Sequence, residues 1–150
     1  MLRPIALATA ISGTLDILFA MLLTLAYDRQ VPDMLRMVAS GPFPAAKDMG
    51  TNGAVLGIAV HFVLMGIMAT IFMAVVRQRP SLLDSPLASG IGFGLITYVV
   101  MNLIVVQLRF EPPFPPKPMS IATQLFAHIV LVGIPFALIA ARTLPRPAFR

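Results

Sequence analysis

Residues 53–76 read GAVLGIAVHFVLMGIMATIFMAVV, an apolar run interrupted by one ionisable side chain, His61. A helix of more than about 20 such residues, rising about 1.5 Å per residue, crosses roughly 30 Å of hydrocarbon. Three further runs of the same kind occupy residues 4–27, 87–108 and 119–141. Together they predict an all-α fold, an integral membrane four-helix bundle forming a single four-span domain over residues 1–150. The first run follows Arg3 and resembles a signal sequence in outline, but its length and its central Asp16 predict a retained span.

Composition supports this reading. The 150 residues are 58% hydrophobic and 11% charged, with a mean hydropathy of +0.89, too little polar surface to coat a soluble globule. The chain has no cysteine, which excludes disulfides, thiolate metal sites and cysteine nucleophiles. It also has no tryptophan, so hydrophobic length rather than an aromatic belt must anchor it. The net charge of +5 lies in basic residues scattered at span ends, with no basic stripe and no interleaved aromatics. Nucleic acid is therefore not an expected partner, and the lipid bilayer with its anionic leaflet is.

The connections carry their own patterns. In the first, Pro32 and Asp33 mark a helix start, Met34, Leu35, Met37 and Val38 supply apolar faces, and Gly41 marks a stop. This predicts a short interfacial helix, followed by a break at Pro42 and Pro44 and helix resuming before Gly53. The third connection, residues 111–118, holds five prolines and is expected to be extended and stiff. From Arg142 onward a basic, unstructured tail is expected.

Orientation follows from the cations near span ends. One side holds Arg3, Arg77, Arg79, Arg142, Arg146 and Arg150 with the single acid Asp84; the other holds Arg29, Arg36, Lys47, Arg109 and Lys117 with Asp28, Asp33, Asp48 and Glu111. The first side is the more cationic, so both termini are expected in the cytoplasm.

Polar and small residues recur at helical spacing on each span: Thr9, Gly13, Asp16, Ala20 and Thr24; Gly53, Gly57 and His61; Gly90, Gly94, Tyr98 and Asn102; Ser120, Gln124 and His128. Such faces form a bundle interior, where small residues permit close helix approach and polar ones bond across the seam. Counted from the presumed outer ends, Asp16, His61, Asn102 and His128 lie about 9 to 17 Å deep, near enough in level to form one buried polar layer. An ionisable group there costs roughly 2.5 to 3.5 kcal/mol at a helix centre, so it is expected to face partners rather than lipid.

Five uses of that layer are open, lipid or apolar-ligand handling among them. Its members, with Ser12, Tyr98 or Gln124, can hold helix register by hydrogen bonding alone. Histidine beside aspartate suits a proton relay, because imidazole titrates near neutrality. His61 and His128 can clamp a haem iron from opposite faces. Asp16, His61 and His128 also form a two-histidine, one-carboxylate set with ligand types suited to a divalent metal such as iron or zinc. Pro135 is expected to kink span four just past His128. No Gly-rich phosphate loop, H-E-x-x-H or G-x-S-x-G pattern is present, which argues against an enzyme acting on soluble substrates.

The stretch 13–16 (GTLD), Ala39-Ser40-Gly41, Gly57 with His61-Phe62, Met101-Asn102, and His128 with Gly133 and Pro135 together resemble short uncharacterised bacterial inner-membrane proteins similar to the YagU-like group. Gln107 stands where that pattern has a proline, so a kink there is not carried over. The resemblance spans nearly the whole chain and implies a polytopic bacterial inner-membrane protein, with no activity or cofactor attached. The resulting expectation is a small accessory or structural membrane subunit whose polar layer relays protons or binds a ligand, acting in a homo-oligomer or a larger membrane complex. The rival expectation is a haem- or metal-binding redox protein using His61 and His128.

Overall fold

Four long helices run through the apolar segments, and the computed structural model describes residues 1–144. They are α1 (Leu2–Ala26), α3 (Gly50–Gln78), α4 (Pro86–Phe110) and α5 (Pro118–Thr143), each long and apolar enough to cross a membrane. The short helix α2 (Val31–Ser40) lies in the first connection. Single 3-10 turns at Pro44–Asp48 and Pro80–Asp84 lead into α3 and α4. No strand occurs among the described residues. Beyond Leu144 the basic tail expected from the sequence lies outside the described residues.

Local chemistry sets the boundaries. Asp28 adopts a left-handed backbone conformation (φ 53°) just past α1, and Glu111 does the same (φ 47°) just past α4. A non-glycine residue there cannot propagate a right-handed helix, and Pro112 and Pro113 prevent α4 from resuming. Proline sits in the first turn of α2, α4 and α5, where its missing N–H costs no helical bond. α3 starts at Gly50, ahead of the apolar run, as the sequence predicts.

Helix α1 packs against both α3 and α5, and α4 packs chiefly on α5. At the end of the bundle where α1 begins and α5 ends, Met65, Phe72, Met73, Val132 and Phe136 form the main core. The rings of Phe72, Phe93 and Phe136 join α3, α4 and α5 there, with centroids 4.9 to 6.1 Å apart. At the opposite end α2 lies against α3 and buries Leu35 with Ile17 and Ala54. Gly57 is the reason α2 comes so close: a methyl group there would overlap the Leu35 carbonyl. The outward faces of the helices are apolar, with Leu22 65% exposed and Val55 and Val63 each 61% exposed.

Two of the long helices are not α-helical throughout. Val99–Val105 in α4 and Ala127–Gly133 in α5 are π-helical. In α5 a cause is visible: Pro135 has no N–H to donate, and the ladder one turn earlier widens instead of closing. No proline lies within α4 beyond its first turn, and its π stretch has no comparable signal in the sequence.

Candidate functional site: two polar pairs inside the bundle

Asp16 and His61 meet across α1 and α3. His61 Nδ1 lies 3.9 Å from the nearer Asp16 carboxylate oxygen, and the two side chains are 12% and 22% exposed for His61 and Asp16 respectively. His61 Nε2 is 2.9 Å from the Gly13 carbonyl oxygen. A carbonyl only accepts, so Nε2 carries the proton and donates it, leaving Nδ1 with its lone pair toward Asp16. Gly13 permits this approach, since a Cβ there would stand 2.7 Å from the Phe62 ring. At 3.9 Å the carboxylate and Nδ1 are beyond hydrogen-bond length. A proton arriving on either atom gives the pair a donor it now lacks. One and two turns earlier on α1, the buried hydroxyls of Ser12 and Thr9 have no hydrogen-bond partner among the described residues.

Asn102 and His128 meet across α4 and α5, each within its helix's π-helical stretch. The Asn102 amide nitrogen is 3.0 Å from His128 Nε2. His128 Nδ1 is 3.1 Å from the Thr97 hydroxyl, and that hydroxyl donates to the Gly94 carbonyl at 3.0 Å. Because the Thr97 proton is committed to Gly94, Thr97 accepts from His128, which fixes the proton on Nδ1. Nε2 then accepts from Asn102. Every polar atom on the ring is therefore used, in the opposite tautomer to His61. The Tyr98 ring stands edge-on to His128, with centroids 6.1 Å apart. Gly94 brings the backbones together, since a Cβ there would lie 2.6 Å from the His128 carbonyl oxygen and from Ile129 Cα.

The expected layer is thus divided between two helix pairs. Asp16 joins His61, and Asn102 joins His128. No group of three His, Cys, Asp or Glu side chains converges as metal ligands among the described residues, so Asp16, His61 and His128 are not assembled as a metal triad. Gln124 is half-buried and its side chain makes no hydrogen bond among the described residues; Ser12 likewise stays outside both networks.

Two contributors escaped the sequence reading. Thr97 lies five residues before Asn102, about 140° away around an α-helix, so the pair did not register as one face. The wider π turns from Val99 bring Asn102 round to the side of Thr97, and both reach His128. Arg109 entered the sequence reading only through charge. Its Nε and Nη2 donate to the Gly41 and Ser40 carbonyls at 2.7 and 2.8 Å. A guanidinium on the last carbonyls of α2 satisfies orphan acceptors and complements the helix dipole. It also ties the end of α4 to the α2–α3 half of the bundle.

Comparison of the chain with protein-family models, curated proteins and solved structures finds no match.

Proposed function

We propose that this chain is a small multi-pass subunit of a bacterial inner membrane, with both termini cytoplasmic, in which Asp16 and His61 form a proton-exchanging pair. The observation that carries the reading is the contrast within the bundle. An apolar outer shell over four long helices encloses one polar network that is closed and one titratable pair that is open. An inside-out polarity of this kind suits lipid as solvent, and an intramembrane carboxylate beside an imidazole suits proton passage. The unpartnered Ser12 and Thr9 hydroxyls extend the polar line along α1, and each can both give and take a hydrogen bond. The motif resemblance to bacterial inner-membrane proteins points the same way. As an accessory subunit the chain would work beside copies of itself or within a larger membrane complex.

A haem or metal held between His61 and His128 draws less support. His128 would have to surrender Nε2 from Asn102, and His61 already commits Nε2 to Gly13.

The test is flux. Protein reconstituted in vesicles and subjected to a pH step should acidify the lumen faster than empty vesicles, and Asp16→Asn should remove the difference while the protein keeps its helical content. Equal flux from both forms, or none above empty vesicles from the wild type, rejects the relay.

A further inference from the structure

A cleft of about 1370 Å³ opens between the start of α1, the end of α3, the following turn and the end of α5. Arg3, Arg77, Arg79 and Arg142 line it, and Asp84 is the one acid among the lining residues. All four guanidinium side chains are exposed, and none makes a hydrogen bond or ion pair among the described residues. Beneath them Val76 and Leu83 are buried and apolar. Arginines placed only to retain one end of a span in the cytoplasm have no reason to surround a common concavity. These come from three helices and a turn, and they do.

We infer that this cleft binds a phosphate group, with the arginines as its donors. The guanidinium fork matches phosphate oxygens in pairs, and several forks around one volume suit a phosphomonoester better than a carboxylate, which offers fewer oxygens. The phosphate can come from a lipid headgroup, whose acyl chains would continue over the apolar surface of the bundle, or from a free anion. The inference does not use Asp16 or His61 and takes from the proposed function only the bilayer, and then only for the lipid source.

Delipidated full-length protein in detergent separates the cases. Dioleoyl phosphatidic acid, the matching diacylglycerol without phosphate, and inorganic phosphate are titrated against the wild type, Arg77→Gln/Arg142→Gln, and the control Arg29→Gln/Lys117→Gln, which removes equal charge from the opposite end. Binding is read by native mass spectrometry and folding by the circular-dichroism melt. Phosphatidic acid should bind in preference to diacylglycerol, at least about tenfold more weakly in the Arg77/Arg142 variant and unchanged in the control, as expected for losing charge-assisted hydrogen bonds. Arg3→Gln/Arg79→Gln, which alters the other two donors, should show the same loss, and it replaces the first variant should that one unfold. Arginine-dependent binding of inorganic phosphate, competing with the lipid, assigns a free anion; binding of phosphatidic acid without such competition assigns a headgroup. Equal binding of phosphatidic acid and diacylglycerol, equal losses in the cleft and control variants, or no binding of either phosphate probe overturns the inference.

Discussion

The α1–α3 seam and the α4–α5 seam each carry one histidine, and the two are held in different ways. His128 sits in a chain running from the Asn102 amide through the imidazole and the Thr97 hydroxyl to the Gly94 carbonyl, with each proton assigned by the group beyond it. His61 is anchored at one nitrogen only, and its other nitrogen faces a carboxylate too distant to bond. A closed network of neutral groups fixes geometry and resists a change of protonation, because a new proton would displace an existing donor. An open pair has somewhere to put one. Two histidines within apolar spans are thus suited to different work, and the neighbours rather than the residue type make the distinction.

The glycines at the two seams should show the contrast most strongly. At Gly94 a new methyl group meets the backbone of α5, which has nowhere to move, whereas at Gly13 it meets the edge of the Phe62 ring, which can rotate. Gly94→Ala should therefore cost about 1 to 3 kcal/mol of stability in a denaturation titration in detergent, and Gly13→Ala clearly less. Equal losses would mean that the α4–α5 contact is no tighter than the other.

Removing His128 strands the Asn102 amide and the Thr97 acceptor, and His128→Ala should destabilise by about 1 to 3 kcal/mol. His61→Ala strands one carbonyl that retains a helical partner and should cost less. A double-mutant cycle on Asn102 and His128 should return a coupling of about 0.6 kcal/mol, the average for hydrogen bonds between membrane helices, and no more than about 1.7 kcal/mol. A coupling of zero would mean that the Asn102–His128 hydrogen bond does not hold the α4–α5 seam.

Arg109→Ala gives up two bonds to the end of α2, in part compensated by water, and should cost about 1 kcal/mol. The sharper signature is local. Hydrogen exchange should accelerate in α2 and leave the interior of α5 unchanged, since the guanidinium's hydrogen bonds among the described residues go to the Ser40 and Gly41 carbonyls.

Asp16→Asn should have the smallest effect on stability, below about 0.5 kcal/mol, because a 3.9 Å contact to a neutral imidazole holds little together. Nitrogen-15 spectra of the two imidazoles test the same distinction without mutation: His61 should carry its proton on Nε2 and His128 on Nδ1. Identical tautomers would contradict the hydrogen-bond assignments for one of the two.

Length and hydropathy made the four helices readable from the chain, because each is a property of one segment and needs no knowledge of its neighbours. The same holds for α2, where Pro32, Asp33 and the spacing of Leu35 and Val38 mark a short amphipathic helix before any packing is known. Asp16, His61, Asn102 and His128 stood out for an equally local reason, as polar groups within apolar runs. Their pairing did not. Which faces meet depends on where two backbones can approach, at Gly13 against Phe62 and at Gly94 against His128, and on π turns that rotate Asn102 by an amount α-helical spacing does not contain. The shared layer predicted from depth resolved into two pairs because depth is one coordinate and rotation about each helix axis is another. The arginine cleft was half legible: charge counting put Arg3, Arg77, Arg79 and Arg142 on one side, but their gathering around one space depends on the antiparallel return of α3 and α5 to the start of α1.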